Sequence, residues 1–190
     1  MSVNLSKGGK VSLSKEAPGL SKITIGLGWD TNSSDTGKEF DLDASAFLVG
    51  ADGKVANEKN FVFYNNLTSA DGSVVHTGDN RTGEGDGDDE SIKVDLGKIS
   101  ADIEGIEVVV TIHEAKERGQ NFGQVKNAFV RIVNDADGKE LARYDLEEDF
   151  SVETAVSFGK IYKKDGEWRF SAQGVGYKEG LEGFVRQFGL

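Results

Sequence analysis

Outside the acidic run 79–90, Asp-Gly pairs stand at 52–53, 71–72, 137–138 and 165–166, and they limit the possible folds more than any other feature of the chain. A tight hairpin turn needs positive φ at both central residues, which Asp-Gly tolerates, so the pair between two apolar runs reads as a β-hairpin. Residues 40–49 lead into the first pair, 129–133 and 141–144 flank the third, and 160–163 and 168–170 flank the fourth. Further strands are expected at 11–13, 23–29, 61–64 and 92–96, and the most apolar run, 107–112, reads as a central strand. Strands that recur roughly every 10–20 residues with no long helices between them specify a mainly β fold, an antiparallel two-sheet β-sandwich with a few short helices. Short helical pieces are expected near 100–103, 152–158 and 180–188, the last from the stripe Leu181, Phe184, Val185 and Phe188. One proline against 25 glycines leaves the turns to Gly and Asx chemistry. At 190 residues, 37% of them hydrophobic, a single domain over 1–190 is expected, with a core that buries about 70% of the unfolded surface.

Composition narrows the function. No apolar run reaches the ~18 residues of a membrane-spanning helix, and residues 1–7 hold no apolar signal region. Both point to the cytoplasm. The absence of cysteine removes disulfides and thiolate metal sites. A net charge of -11 disfavours binding to nucleic-acid backbones and docking on anionic membranes. It favours cations and basic partners.

Much of that charge sits in one place. Of the twelve residues 79–90, six are carboxylates (Asp79, Glu84, Asp86, Asp88, Asp89, Glu90) and one is a cation, Arg81: −6 + 1 = −5 of the total -11. Neighbouring carboxylates at ~6 Å and an effective dielectric of ~20 repel by roughly 3 kcal/mol. Glycines at 83, 85 and 87 let the backbone fold tightly and offer carbonyl oxygens. An acidic run is usually a solvated surface loop. This one lies between two strand-like runs and is accompanied by Asp41 and Asp43, which strand periodicity puts on one face. Asn65-Asn66 and Asp30, at other strand ends, add more oxygens. Six to eight hard oxygens suit calcium, whereas zinc would want His or Cys, and the chain has only His76 and His113. The run is not an EF-hand: Arg81, Gly83 and Glu84 occupy positions 3, 5 and 6, where that motif needs two ligands and a glycine. His76 reads as a loop histidine, His113-Glu114 as a strand-end hydrogen-bonding pair, and Trp29 and Trp168 as packing residues. The acidic glycine run is no phosphate cradle.

These residues resemble the tellurium-resistance TerD family, in particular its TerD/TerE-like members. The matching segments are 26–30, 40–47, 63–66, 78–90, 121–125, 142–146, 153–155 and 166–168, in order along essentially the whole chain. The resemblance implies a β-sandwich that binds calcium, two ions, in a cytoplasmic stress response tied to tellurite resistance. It implies no enzymatic activity, and partners among the other proteins of that system, membrane-associated ones included, without membrane insertion. Carried over by position, the metal ligands are Asp41, Asp43, Asn65, Asp79, Asn80, Asp88, Asp89 and Glu90, with carbonyls of Gly83 and Gly85; Glu84, Asp86 and Asp30 are weaker candidates. The rival readings are a metal-dependent, phosphoesterase-like hydrolase using His76 or His113, and a small-ligand module for a cyclic nucleotide.

Overall fold

The computed structural model describes residues 2–31, 38–78, 87–146 and 152–190. In chain order the elements are β1 (Val3–Asn4), β2 (Lys10–Ser12), α1 (Leu13–Glu16), β3 (Lys22–Gly28), β4 (Leu42–Val49), β5 (Phe61–Val62), β6 (Val74–His76), β7 (Glu90–Asp95), β8 (Gly105–Ile112), α2 (Ala115–Arg118), β9 (Phe129–Asn134), β10 (Glu140–Asp145), β11 (Ala155–Lys164), β12 (Glu167–Tyr177) and α3 (Leu181–Gln187). Two six-stranded sheets form, in the orders β1-β10-β9-β3-β7-β6 and β2-β12-β11-β8-β4-β5. Every pairing is antiparallel except the short parallel one between β1 and β10. The expected sandwich is therefore the fold, and 107–112 lies in the interior strand β8.

Alternation builds the core between the sheets. Ile23, Ile25 and Leu27 of β3, Ile92 and Val94 of β7, and Val130 and Ile132 of β9 meet Leu42, Ala44, Ala46 and Leu48 of β4 and Ile106, Val108 and Val110 of β8. The other side of β4 and β8 is also covered: Phe47, Val49 and Val109 pack beneath Phe184 and Phe188, contributed by α3 and the residue just beyond it. Coverage on both faces explains why all eight residues of β8, and all eight of β4, are buried.

Two turns behave as their composition demands. Asp165 and Gly166 have φ of 53° and 76° and close the β11–β12 hairpin. Gly72, at φ 72°, sits in a second, four-residue loop in which Ser69 N donates to Val74 O and Gly72 N to Ser69 O. The pair at 52–53 makes a turn inside a longer connection to β5 rather than a hairpin. One helix expectation is corrected: residues 155–158 are strand, the start of β11 between β8 and β12. A register shift between Ser157 and Gly159 lets Val156, Phe158 and Ile161 all face the core. A side chain at Gly159 would meet the Phe170 ring and Ser171 O at 2.4 Å. The stretch near 100–103 is a turn, preceded by a single 3-10 turn, Leu96–Lys98, and the expected C-terminal helix is α3.

Antiparallel alternation brings selected strand ends together. β3 and β10 end where β7 and β9 begin, in the registers Leu27↔Glu90, Gly28↔Phe129 and Asp145↔Phe129. β4 and β11 begin where β8 and β12 end, at Leu42↔Ile112, Ala155↔Thr111 and Ala155↔Tyr177. Glu90 ties the two groups into one end of the sandwich, its Oε2 accepting from Ala44 N at 2.8 Å.

Candidate functional site

Asp41, Asp43, Asp88, Asp89 and Glu90 all lie at this end. Asp79, Asn80, Gly83 and Gly85, with Glu84 and Asp86, lie outside the described residues. Asp41 and Asp43 are 6% and 4% exposed, although they stand where β4 begins. Their position follows from alternation: Leu42 and Ala44 point into the core, so the odd residues face the other side of the sheet. His113 N donates to Asp41 O at 2.7 Å, and His113 Nδ1 lies 3.7 Å from Asp43 Oδ2.

The three consecutive acids 88–90 point in three directions. Gly87, at φ 96°, precedes them. Asp88 turns to the outer face of the first sheet, where Arg131 of β9 grips both its oxygens: Nε to Oδ1 at 2.8 Å and Nη2 to Oδ2 at 3.0 Å. The carboxylate lies over Gly26, whose missing Cβ would stand 2.3 Å from it. That hydrogen bond holds the Arg131 guanidinium above its ordinary value, against the opposing effect of burial. Asp89 lies along the strand end: its N donates to Leu27 O at 2.8 Å and its Oδ2 accepts from Trp29 N at 2.9 Å. Burial pushes the Asp89 carboxyl above the usual range, the charges of Asp88 and Asp30 push the same way, and the Trp29 N–H pulls against them. Glu90 turns inward, 1% exposed.

His76 departs from its expected loop position. It belongs to β6 and is 2% exposed. Its Nδ1 accepts from Gly78 N at 3.1 Å, and its Nε2 stands 3.5 Å from Glu90 Oε2, both side chains fully buried. His113 does lie just past the end of β8, as expected, with Nε2 3.7 Å from Glu114 Oε1. Trp29 is a core residue that donates from Nε1 to Phe40 O at 3.0 Å. Asp30 Oδ2 accepts from Asn127 Nδ2 at 2.6 Å.

Asn65 follows Tyr64, whose ring meets His113 edge-on at 5.9 Å and lines the same cleft as Asp43. Asn65 itself is exposed in the tight turn between Phe63 and Asn66 and lines a hollow of about 420 Å³ with Phe61, Phe63 and Leu190. Its neighbour Asn66 ties the turn down, Nδ2 donating to Phe61 O at 2.6 Å. Asp43 instead lines a larger cleft of about 840 Å³ together with Thr111, His113, Lys178 and Arg186. Among the described residues, no three His, Asp or Glu side chains form a complete metal-binding group. A closed shell at Asp41, Asp43 or Asp89 would therefore draw on donors other than clustered His, Asp and Glu side chains of the described residues. What fits a hard cation is the donor chemistry: carboxylates nearly out of water at Asp41 and Asp43, and at Asp89 a carboxylate whose ionised form is disfavoured where it stands.

Arg131 is the residue that sequence reading missed. Alternation in 129–133 puts it on the outer face, but its partner lies 43 positions away in the chain, so no local pattern announces the pair.

The TerD-domain family model matches residues 1–188. The chain is 58% identical to tellurium resistance protein TerD of Serratia marcescens, over 100% of this chain and 98% of that protein. It is 56% identical to general stress protein 16U of Bacillus subtilis (strain 168), with the same coverage. Among solved structures, a homologue of telluride resistance protein (TerD) from Streptomyces coelicolor A3(2) is similar in fold. Its TM-score is 0.73 at 24% identity, covering 88% of this chain and 96% of that one.

Proposed function

Because the chain belongs to the TerD family, whose members carry tellurium-resistance and stress-response names, we propose that it is a calcium-binding, non-enzymatic interaction module of such a response, working in the cytoplasm. The observation that carries this reading is the desolvation of Asp41, Asp43 and Asp89 at one end of the sandwich. Taking ionised carboxylates out of water is unfavourable, and a divalent cation bound against them converts that cost into affinity. Asp41, Asp43 and Asp89 would hold calcium, in two sites, with oxygens of the 79–86 segment completing the shells. When bound, the ion supplies charge neutralisation and cross-links the start of β4 to the start of β7. The partners of such an ordered end would be other proteins of the tellurium-resistance system.

Placement argues against His76 as a catalytic imidazole. His76 is buried with Nδ1 already accepting a hydrogen bond, which leaves His113 as the imidazole that lines the cleft. The cleft gives one observation in favour of a second reading, a small ligand such as a cyclic nucleotide held through a bound metal: Lys116, Lys178 and Arg186 are among its lining residues, together with the carboxylates of Asp43, Glu114, Glu117, Glu179 and Glu182.

Calorimetry on chelator-stripped protein tests the first reading. Calcium should bind at micromolar or tighter concentration and magnesium much more weakly. Asp43→Asn and Asp89→Asn should each weaken calcium at least tenfold. No heat with the wild-type chain, or full binding by both variants, would show that these acids hold no calcium. The same titration with a cyclic nucleotide, with and without calcium, tests the second reading.

A further inference from the structure

Asp88 belongs to the acidic run, yet its geometry is that of a group already engaged. Both oxygens are held by one guanidinium in a fork, the arrangement that adds direction as well as strength. The pair is partly shielded from water, with side chains 14% and 30% exposed. The sheet provides a seat for it: at Gly26 the outer face has a notch that any Cβ would fill, and the Asp88 carboxylate occupies it. Arg131 is itself steadied, Nη1 donating to Glu140 Oε2 at 3.3 Å on the neighbouring strand. The next residue along the chain is Asp89.

We infer that Asp88 and Arg131 form a latch that positions Asp89 for calcium, so that Arg131 is a positioning residue and Asp88 is not a ligand. The inference rests on the calcium reading above. The chain around Asp89 is pinned on three sides: by Asp88 to Arg131, by the Asp89 N–H to Leu27 O, and by Glu90 to Ala44 N. Releasing the first pin frees the turn at Gly87 and leaves Asp88 as an uncompensated negative charge beside Asp89.

At Arg131 the latch and plain electrostatics predict opposite signs. Removing a cation beside a calcium site should tighten calcium through the local field, and a liberated Asp88 could add a ligand. Loss of a group that orients a ligand weakens metal by about 10–100-fold. The experiment is calcium calorimetry on the full chain for the wild type, Arg131→Gln, Asp88→Asn and the double variant, each with a melting curve in chelator. The latch requires each single variant to weaken calcium about tenfold, with the double variant no worse than either. Gly26→Ala, which alters no charge, should evict Asp88 from its notch and weaken calcium to a similar degree.

Three results would overturn the proposal. They are calcium binding by Arg131→Gln as tight as the wild type's or tighter, a further loss of affinity from Asp88→Asn in the Arg131→Gln background, and a lower melting temperature in chelator with calcium affinity unchanged. A wild-type chain that binds no calcium removes the calcium reading and the latch with it. Binding by the wild type with an additive cycle removes only the latch.

Discussion

Asp71 shows what a carboxylate does in this protein when its partners are all in the chain. Its Oδ1 accepts from Ser69 Oγ at 2.7 Å and from Ser73 N and Oγ at 2.9 and 2.6 Å, and its Oδ2 accepts from Ser100 N at 2.9 Å. Burial would raise the group, but hydrogen bonds from Ser73, Ser100 and Ser69 outweigh it and hold the carboxyl at about 2, below the ordinary 3.8. The sign follows. A folded value below the unfolded one contributes stability that is present above 3.8 and is lost as pH falls through that range to about 2. Asp71→Asn turns an acceptor into a donor facing the Ser100 N–H, and should cost roughly 1–3 kcal/mol in urea unfolding at pH 7. The gap between the two proteins should narrow below pH 4; an equal gap at pH 7 and pH 2.5 would show that the carboxylate charge is not what matters. Asp89 is the opposite case. Burial raises its carboxyl, the charges of Asp88 and Asp30 push the same way, and the Trp29 N–H works against them without cancelling the rise.

Elements were legible wherever periodicity and turn chemistry agreed. The hairpin at 165–166, the apolar strand β8 and the stripe that became α3 all followed from local pattern. The 152–158 stretch did not, because its apolar residues serve two neighbours across a bulge and so break the period that strand reading relies on. The site was legible as a collection of acids and illegible as a geometry. Glu90 turns inward because β5 pairs only with Ala46 and Phe47, leaving the Ala44 N–H to be satisfied from the other sheet. No local sequence signal carries that fact. α3 supports the same strand from the other side. Phe184, fully buried, meets Tyr177 edge-on at 4.7 Å, and Phe188 packs 4.5 Å from Phe47 of β4. Phe184→Ala should cost about 3–5 kcal/mol and lower the urea midpoint. Amide exchange should then rise across α3 and the Phe47–Val49 end of β4 while the first sheet stays protected. Uniform loss of protection over both sheets would mean that α3 is part of a single cooperative unit rather than a cover.

At the scale of the molecule, charge and fold pull against each other at one end. The chain carries -11 overall, and the strand ends that bear Asp41, Asp43, Asp88, Asp89 and Glu90 converge there because the antiparallel order leaves no alternative. Any dissolved salt relieves part of such self-repulsion, since exposed charges are screened beyond about 8 Å at physiological ionic strength. A higher melting temperature in calcium is therefore ambiguous unless screening is held fixed. A bound ligand at ~100 times its Kd stabilises a fold by about 2.7 kcal/mol. For a chain of this size that corresponds to roughly 5–10 °C. The increase should survive in high sodium chloride, saturate with calcium, and be far smaller with magnesium. Screening predicts the reverse: sodium chloride would reproduce the increase, and calcium added on top of it would do nothing. Melting curves at fixed ionic strength, with calcium as the only variable, separate the two. Burial decides which to expect: Asp41 and Asp43 are 6% and 4% exposed. Ions that stay in solvent relieve charges so nearly out of water much less than they relieve exposed ones, whereas an ion bound against the carboxylates reaches them fully.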